Sequence, residues 1–250
     1  FQETDVLGMT LGIVKHSYLI DDADSLPSIM EEAIELAQGG RPGPVWIDIP
    51  KDLLLSNVAD APFAQAQPCE PASPDLKEAL AMLRAAHKPL LYSGGGISLA
   101  HAEESFRAFA ESSALPAVVT LKGIGNPGKH NPHNLGMLGM HGSRAANKAV
   151  DECDLLLVIG ARLDDRATGK LDGFAPNARM IHIDADAAEI NKLRDADLAI
   201  RGDLNHILKS LAGALQADPL AISEWQKQCR TWYTTGGFHA ADNEEPLAPI

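Results

Sequence analysis

The chain has 250 residues, and 21 Lys and Arg against 34 Asp and Glu leave a formal net charge of −13. Hydrophobic residues at 45% and charged residues at 22% describe a folded globule, one large domain or two small ones, and not a disordered chain. The negative excess, with no Lys/Arg-rich window, argues against nucleic acid and membranes as partners, and no apolar run nears the roughly 18 residues of a bilayer span.

Three scattered cysteines, Cys69, Cys153 and Cys229, suit neither a disulfide framework nor a zinc knuckle and are read as free thiols. No secretory leader pattern opens the chain, so a cytoplasmic location is expected. The sequence starts at Phe1 without methionine and stops at Ile250 without a closing element, as a fragment would.

In chain order, Leu26, Ile29, Met30, Ala33, Ile34 and Ala37 fall on one helical face, with Ser25 placed to cap it and Gly39-Gly40 to end it. Pro44 to Ile49 reads as a buried strand stopped by Pro50. One helix and one strand cannot bury both faces of a layer, so they look like the last third of an α/β domain. Four prolines between Ser56 and Pro74 mark a linker, and Ser73-Pro74 opens a helix carrying Leu76, Ala79, Leu80 and Leu83.

Strand-like runs then alternate with amphipathic stretches: Pro89 to Tyr92, Pro116 to Thr120, Leu155 to Ile159 and Met180 to Ile183, with helices at His101 to Ser112, Ser143 to Glu152, Ala187 to Leu193 and Asn205 to Leu215. Such alternation predicts an α/β fold with a doubly wound parallel sheet. After Pro219 the pattern dissolves into a tail holding Trp225, Trp232 and Tyr233. The expected organisation is residues 1–55 as a remnant of one domain, 56–74 as linker, 75–217 as a complete domain, and 218–250 as tail.

Ligands of open α/β sheets bind beyond the carboxyl ends of the strands, so the residues there are the candidates. Gly94-Gly95-Gly96 can let a ligand approach the backbone or can simply make a strand-to-helix turn. Arg162, Asp164, Asp165 and Arg166 pack two arginines and two aspartates into five positions, suited to phosphate or carboxylate binding or to a structural ion-pair knot. Asp184 ends a strand where nucleotide folds bind ribose, or caps the next element. Met137, Met140 and His141 lie among glycines, where methionines can meet a flat ring or fill a core gap. His130 and His133 lack a carboxylate partner, so no metal site is read there. His16, His87, His101, His182, His206 and His239 are isolated and need no functional account.

Phe1-Gln2-Glu3, Thr10 to Leu19, Gly40-Arg41-Pro42-Gly43-Pro44-Val45, Ile49-Pro50-Lys51-Asp52, Gly94 to Gly96, Gly136 to Gly142 and Arg162 to Arg166 resemble, in order, the catalytic subunit of acetohydroxyacid (acetolactate) synthases, most nearly the bacterial isozyme II type. The resemblance implies the end of a thiamine-binding domain, a linker, and the whole central FAD/NAD-binding-like domain of thiamine-diphosphate enzymes. It implies FAD held by Arg41, Gly94, Gly95, Gly96, Thr120, Leu121, Leu138, Met140, His141, Gly160, Ala161, Arg162, Asp164, Arg166, Asp184, Ala185, Glu189, Gly202 and Asp203. Phe1, Met140 and Asp165 would face a substrate channel, and Gln2, Lys51 and Arg166 would serve catalysis, Arg166 holding the carboxylate of a 2-keto acid. Leu163 and Ala167 stand where the family more often has phenylalanine and valine.

For the intact enzyme the resemblance implies condensation of pyruvate with pyruvate or 2-oxobutyrate on thiamine diphosphate and Mg²⁺, a homo-oligomer, and a small regulatory subunit. The present chain alone is expected to be inactive. Rival expectations are another thiamine-diphosphate carboligase, or a nucleotide-binding module without catalysis.

Overall fold

The computed structural model describes residues 4–58 and 75–236. They form two compact units, divided between Glu70 and Pro71. Phe1, Gln2, Cys69 and the Ser73-Pro74 helix start lie outside the described residues.

The first unit holds α1 (Val6–Thr10), β1 (His16–Leu19), α2 (Leu26–Gln38), β2 (Val45–Asp48) and α3 (Lys51–Leu54). β1 and β2 pair in parallel, Tyr18 opposite Ile47. Ser25 does not cap α2: its hydroxyl donates to the Asp22 carbonyl inside a preceding 3₁₀ turn. The other end is closed from outside the helix, where Lys15 Nζ donates to the carbonyls of Leu36 and Gly39. Among the described residues of this unit only Thr10, Ile20 and Ala33 are buried, while Met30, Ile34 and Leu36 of α2 remain exposed. β1 is a strand beyond the one helix and one strand read from the sequence, yet two strands and one long helix still supply too little apolar cover for both sheet faces.

The second unit opens with α4 (Lys77–Ala85) and then runs β3 (Pro89–Ser93), α5 (Gly96–Leu99), α6 (Glu103–Ser113), β4 (Ala117–Val119), β5 (Asn134–Met137), α7 (Arg144–Glu152), β6 (Leu155–Ile159), α8 (Asp165–Thr168), β7 (Arg179–Asp184), β8 (Leu198–Arg201), α9 (Leu204–Ala217) and α10 (Ser223–Gly236). Its six strands are all parallel in the order β5-β4-β3-β6-β7-β8. This is the doubly wound arrangement: the chain leaves β3 toward one edge and returns past it to β6, which puts successive crossover helices on opposite faces. α6 packs with α9, and α7 with α10. Every residue of β3 and β6 is buried, so these central strands read as continuous apolar runs.

Three departures from the sequence reading have physical causes. β5 and β8 were not expected, because Asn134–Met137 contains a glycine and follows a proline turn, and Leu198–Arg201 is a four-residue edge strand with one buried residue. The helix expected at Ala187 to Leu193 is a run of turns. Asp186 accepts from the Ala188 N–H, Asn191 adopts a left-handed φ of 61°, and Arg194 is drawn to the carbonyls of Phe174, Ala175 and Ala178. The stretch read as a structureless tail contains α10, which buries Trp225 and Cys229 on the core and donates Trp225 Nε1–H to the Pro89 carbonyl at 2.9 Å.

Candidate functional site

A parallel sheet delivers all its carboxyl ends to one edge, and in the second unit six turns gather there. The centre of that edge lies between β3 and β6, where the strand order reverses. Gly94 to Gly96 leave β3, and Gly160 to Arg162 leave β6. A Cβ on Gly94 would stand 2.6 Å from Ala161 Cα and closer still to Gly160 O; one on Gly96 would stand 2.7 Å from Gly160 Cα. Gly94 N–H donates to Ile159 O at 3.0 Å and Gly96 N–H to Gly160 O at 2.9 Å. Gly95 meets the Lys122 side chain in the same way. The missing side chains of Gly94 and Gly96 therefore let the loops leaving β3 and β6 interlock. Asn126, buried and unpredicted, locks the same turn by donating Nδ2–H to Gly94 O at 2.9 Å.

The loop after β6 is held in an uncommon shape. Gly160 has φ 57° and the buried Leu163 has φ 56°, so a left-handed residue stands on either side of Ala161-Arg162. Ala161 is buried and its carbonyl faces His182 Nε2 at 3.1 Å. Asp164 caps α8, accepting from the Ala167 N–H at 3.3 Å, and Asp165 is exposed in the helix's first turn. Arg162 and Arg166 are exposed and neither pairs with a carboxylate among the described residues, so no ion-pair knot forms.

After β5, Leu138 is core, and its N–H donates to Val119 O. Gly139, at φ 92°, comes so close to the α8 backbone that a Cβ would lie 2.5 Å from Arg166 O, while Met140 N–H donates to the same oxygen at 3.3 Å. The structure thus brings Met140 together with Asp165 and Arg166. Beside them opens a cavity of about 250 Å³ bounded by Leu138, Met140, Asp165, Arg166 and two residues not anticipated from sequence, Asp151 and Phe174. Burial raises the Asp151 carboxyl above its ordinary value, with the Glu152 charge adding to it. Phe174 reaches the cavity from a loop pinned by Arg194 and stacks edge-on against the buried Tyr92.

Several other candidate residues carry structural bonds. Thr120 Oγ1 accepts from Gly123 N–H and Asp203 caps α9 through His206 N–H. Asp184 accepts from Asp186 N–H at 2.8 Å, so it closes a local turn; burial raises its pKa, with the charges of Asp186 and Glu189 acting the same way. Ala185 follows it, Glu189 is buried and paired with Lys192 at 3.2 Å, and Gly202 N–H donates to Asp184 O. Leu121 and Met140 are each 70% exposed, and His141 is exposed as well. Arg41 and Lys51 lie exposed in the first unit, Arg41 on the turn after α2 and Lys51 at the start of α3.

The edge therefore combines two exposed guanidinium groups with no carboxylate partner, exposed apolar side chains able to cover a flat ring, and an acid at a strand end. That donor set fits a dinucleotide such as FAD, with cations for phosphate, Leu121 and Met140 for the ring, and Asp184 for ribose. Among the described residues no three His, Cys, Asp or Glu side chains converge as a metal set. No described helix is long and apolar enough to cross a membrane.

Fold and edge together define a doubly wound α/β domain whose loops gather at the carboxyl edge of a six-stranded parallel sheet. Residues 76–211 match the family described as thiamine pyrophosphate enzyme, central domain, and the chain belongs to that family. It is 48% identical over 231 residues to the acetolactate synthase isozyme 2 large subunit of Escherichia coli K12, a match covering 92% of this chain and 41% of that protein. It is 43% identical to the isozyme 1 large subunit of the same organism, covering 91% and 40%, and 45% identical to the acetolactate synthase large subunit of Parasynechococcus marenigrum, covering 93% and 39%. The chain thus spans about two fifths of the length of these relatives.

Proposed function

We propose that this chain is the central part of an acetolactate synthase catalytic subunit, with FAD bound along the carboxyl edge of the six-stranded sheet. The observation that carries the reading is the 48% identity over 231 residues to a named acetolactate synthase large subunit. The exposed Arg162 and Arg166 supply the charge an anionic dinucleotide needs. In the whole protein, pyruvate would be decarboxylated on thiamine diphosphate with Mg²⁺, and the two-carbon unit added to pyruvate or 2-oxobutyrate. Arg166 would hold the acceptor's carboxylate by a charge-assisted, bidentate contact, with Met140 and Asp165 beside it in the channel. Phe1, Gln2 and Lys51 belong to the same reading as channel and catalytic residues, and Arg41 as a flavin contact.

On this reading residues 1–55 are the thiamine-domain remnant, 56–74 the linker, and the central domain begins at residue 75 and runs past residue 217 to take in α10. It would be a cytoplasmic homo-oligomer working with a small regulatory subunit. The present chain, by itself, is inactive on this reading. The test has two arms. The full-length protein must convert pyruvate to acetolactate, and the purified 250-residue chain must bind FAD saturably without forming product. Saturable NAD binding without FAD binding would favour a non-catalytic nucleotide module instead.

A further inference from the structure

Met180, Ile181, His182 and Ile183 of β7 are all buried, and His182 alone among them is polar. Its ring lies in the sheet row Tyr92, Val158, His182, Ala199. Nε2 is 3.1 Å from the Ala161 carbonyl oxygen. A carbonyl only accepts, so Nε2 carries the proton and the neutral ring leaves Nδ1 with a bare lone pair. That Nδ1 is buried and has no hydrogen-bond partner. An apolar residue would satisfy the strand at lower cost to stability, since an unpaired buried acceptor is unfavourable. What the imidazole adds is its bond to Ala161.

That bond acts on the middle of a constrained loop, between the left-handed Gly160 and Leu163. Every peptide bond described is trans, so the Ala161 carbonyl and the Arg162 N–H point opposite ways. With the carbonyl drawn to the buried ring, the Arg162 N–H is turned away from the core. It has no acceptor among the described residues, and the Arg162 guanidinium is exposed without an ion pair.

We propose that His182 is a positioning residue for phosphate recognition: by holding the Ala161 carbonyl it presents the Arg162 N–H and guanidinium together to the diphosphate of a nucleotide in the β3/β6 crevice. The inference rests on the reading that this crevice takes FAD.

The test uses the ¹⁵N-labelled 250-residue chain, titrated with inorganic pyrophosphate and with ADP while amide signals are followed, and FAD binding measured separately by flavin fluorescence. In the wild type the Arg162 amide is expected to shift with both anions, and the His182 ring to show protonated Nε2 and bare Nδ1. His182→Met should abolish the Arg162 response and weaken FAD binding about tenfold, while His182→Gln, whose amide can donate to Ala161, should stay within about threefold of wild type. An Arg162 amide blind to both anions, a ring protonated on Nδ1, or unchanged FAD affinity in His182→Met would overturn the proposal. Should His182→Met not fold, the wild-type tautomer and Arg162 response decide it. If FAD fails to bind while Arg162 answers pyrophosphate, the flavin reading falls and the positioning role stands. If FAD binds and Arg162 is silent, the reverse holds, and if both fail, both fall.

Discussion

Replacing Gly94 by alanine tests the interlocked loops directly. The new Cβ would lie 2.6 Å from Ala161 Cα and closer still to Gly160 O, against an ordinary contact of 3.4–4 Å, and both obstacles are backbone. No rotamer change relieves them. The β3 and β6 exits must separate by most of an ångström, which strains the Gly94 N–H to Ile159 O and Gly96 N–H to Gly160 O bonds at 3.0 and 2.9 Å. Overpacking costs about 1–3 kcal/mol and a weakened buried hydrogen bond about 1 kcal/mol, so a loss of about 3 kcal/mol is expected. For a unit of this size that is a fall in Tm of about 6–12 °C. Thermal unfolding of the purified chain, followed by far-ultraviolet circular dichroism and tryptophan fluorescence, measures it. A variant melting with the wild type would refute the argument that these glycines are required by loop-to-loop packing.

Gly213, within α9, offers the opposite case: nothing lies within 4 Å of its Cβ position, so Gly213→Ala should stabilise by about 0.5–1 kcal/mol, read as a higher urea midpoint. Trp225→Ala removes a buried side chain and its bond to Pro89 O, and should cost about 3–5 kcal/mol in the same unfolding assay; a loss under about 1 kcal/mol would mean α10 is not part of the core. Asp184→Asn keeps an acceptor for the Asp186 N–H but removes a carboxylate whose pKa burial has raised, so the urea midpoint at neutral pH should rise while FAD binding weakens; a stability loss would contradict the burial argument. Burial also holds the His182 pKa below its ordinary 6.5, so the folded chain binds fewer protons than the unfolded one below that pH. Stability should be intact above 6.5 and decline as pH falls, by at most about 1.4 kcal/mol per pH unit from this group, with the more exposed His133 acting in the same direction; unchanged urea midpoints between about pH 7.5 and 5.5 would count against it.

Elements with long apolar runs or complete helical faces were legible in the sequence. Leu155 to Ile159, Ser143 to Glu152 and Asn205 to Leu215 correspond to β6, α7 and α9 because burial on one side or both writes itself into periodicity. α10 was missed although Ile222, Trp225, Cys229 and Trp232 follow helical spacing; scattered Thr, Lys and Gln obscured one apolar stripe. Of the candidate residues, Met140, Asp165 and Arg166 line one cavity, whereas Thr120, Asp164 and Asp203 serve as caps, and Leu138 and Ala161 as core.

The sequence by itself determined the family likeness, the doubly wound class and the clustering of charge in Arg162 to Arg166, since these depend on residue order and local period. Tertiary structure alone decided what the three glycines do and what His182 is for. A glycine reads the same whether its empty side faces a ligand or another loop, and here β3 and β6 lie side by side with 65 residues between Gly94 and Gly160. An isolated histidine likewise acquires meaning only when the sheet sets it beneath a carbonyl 21 residues away in the chain.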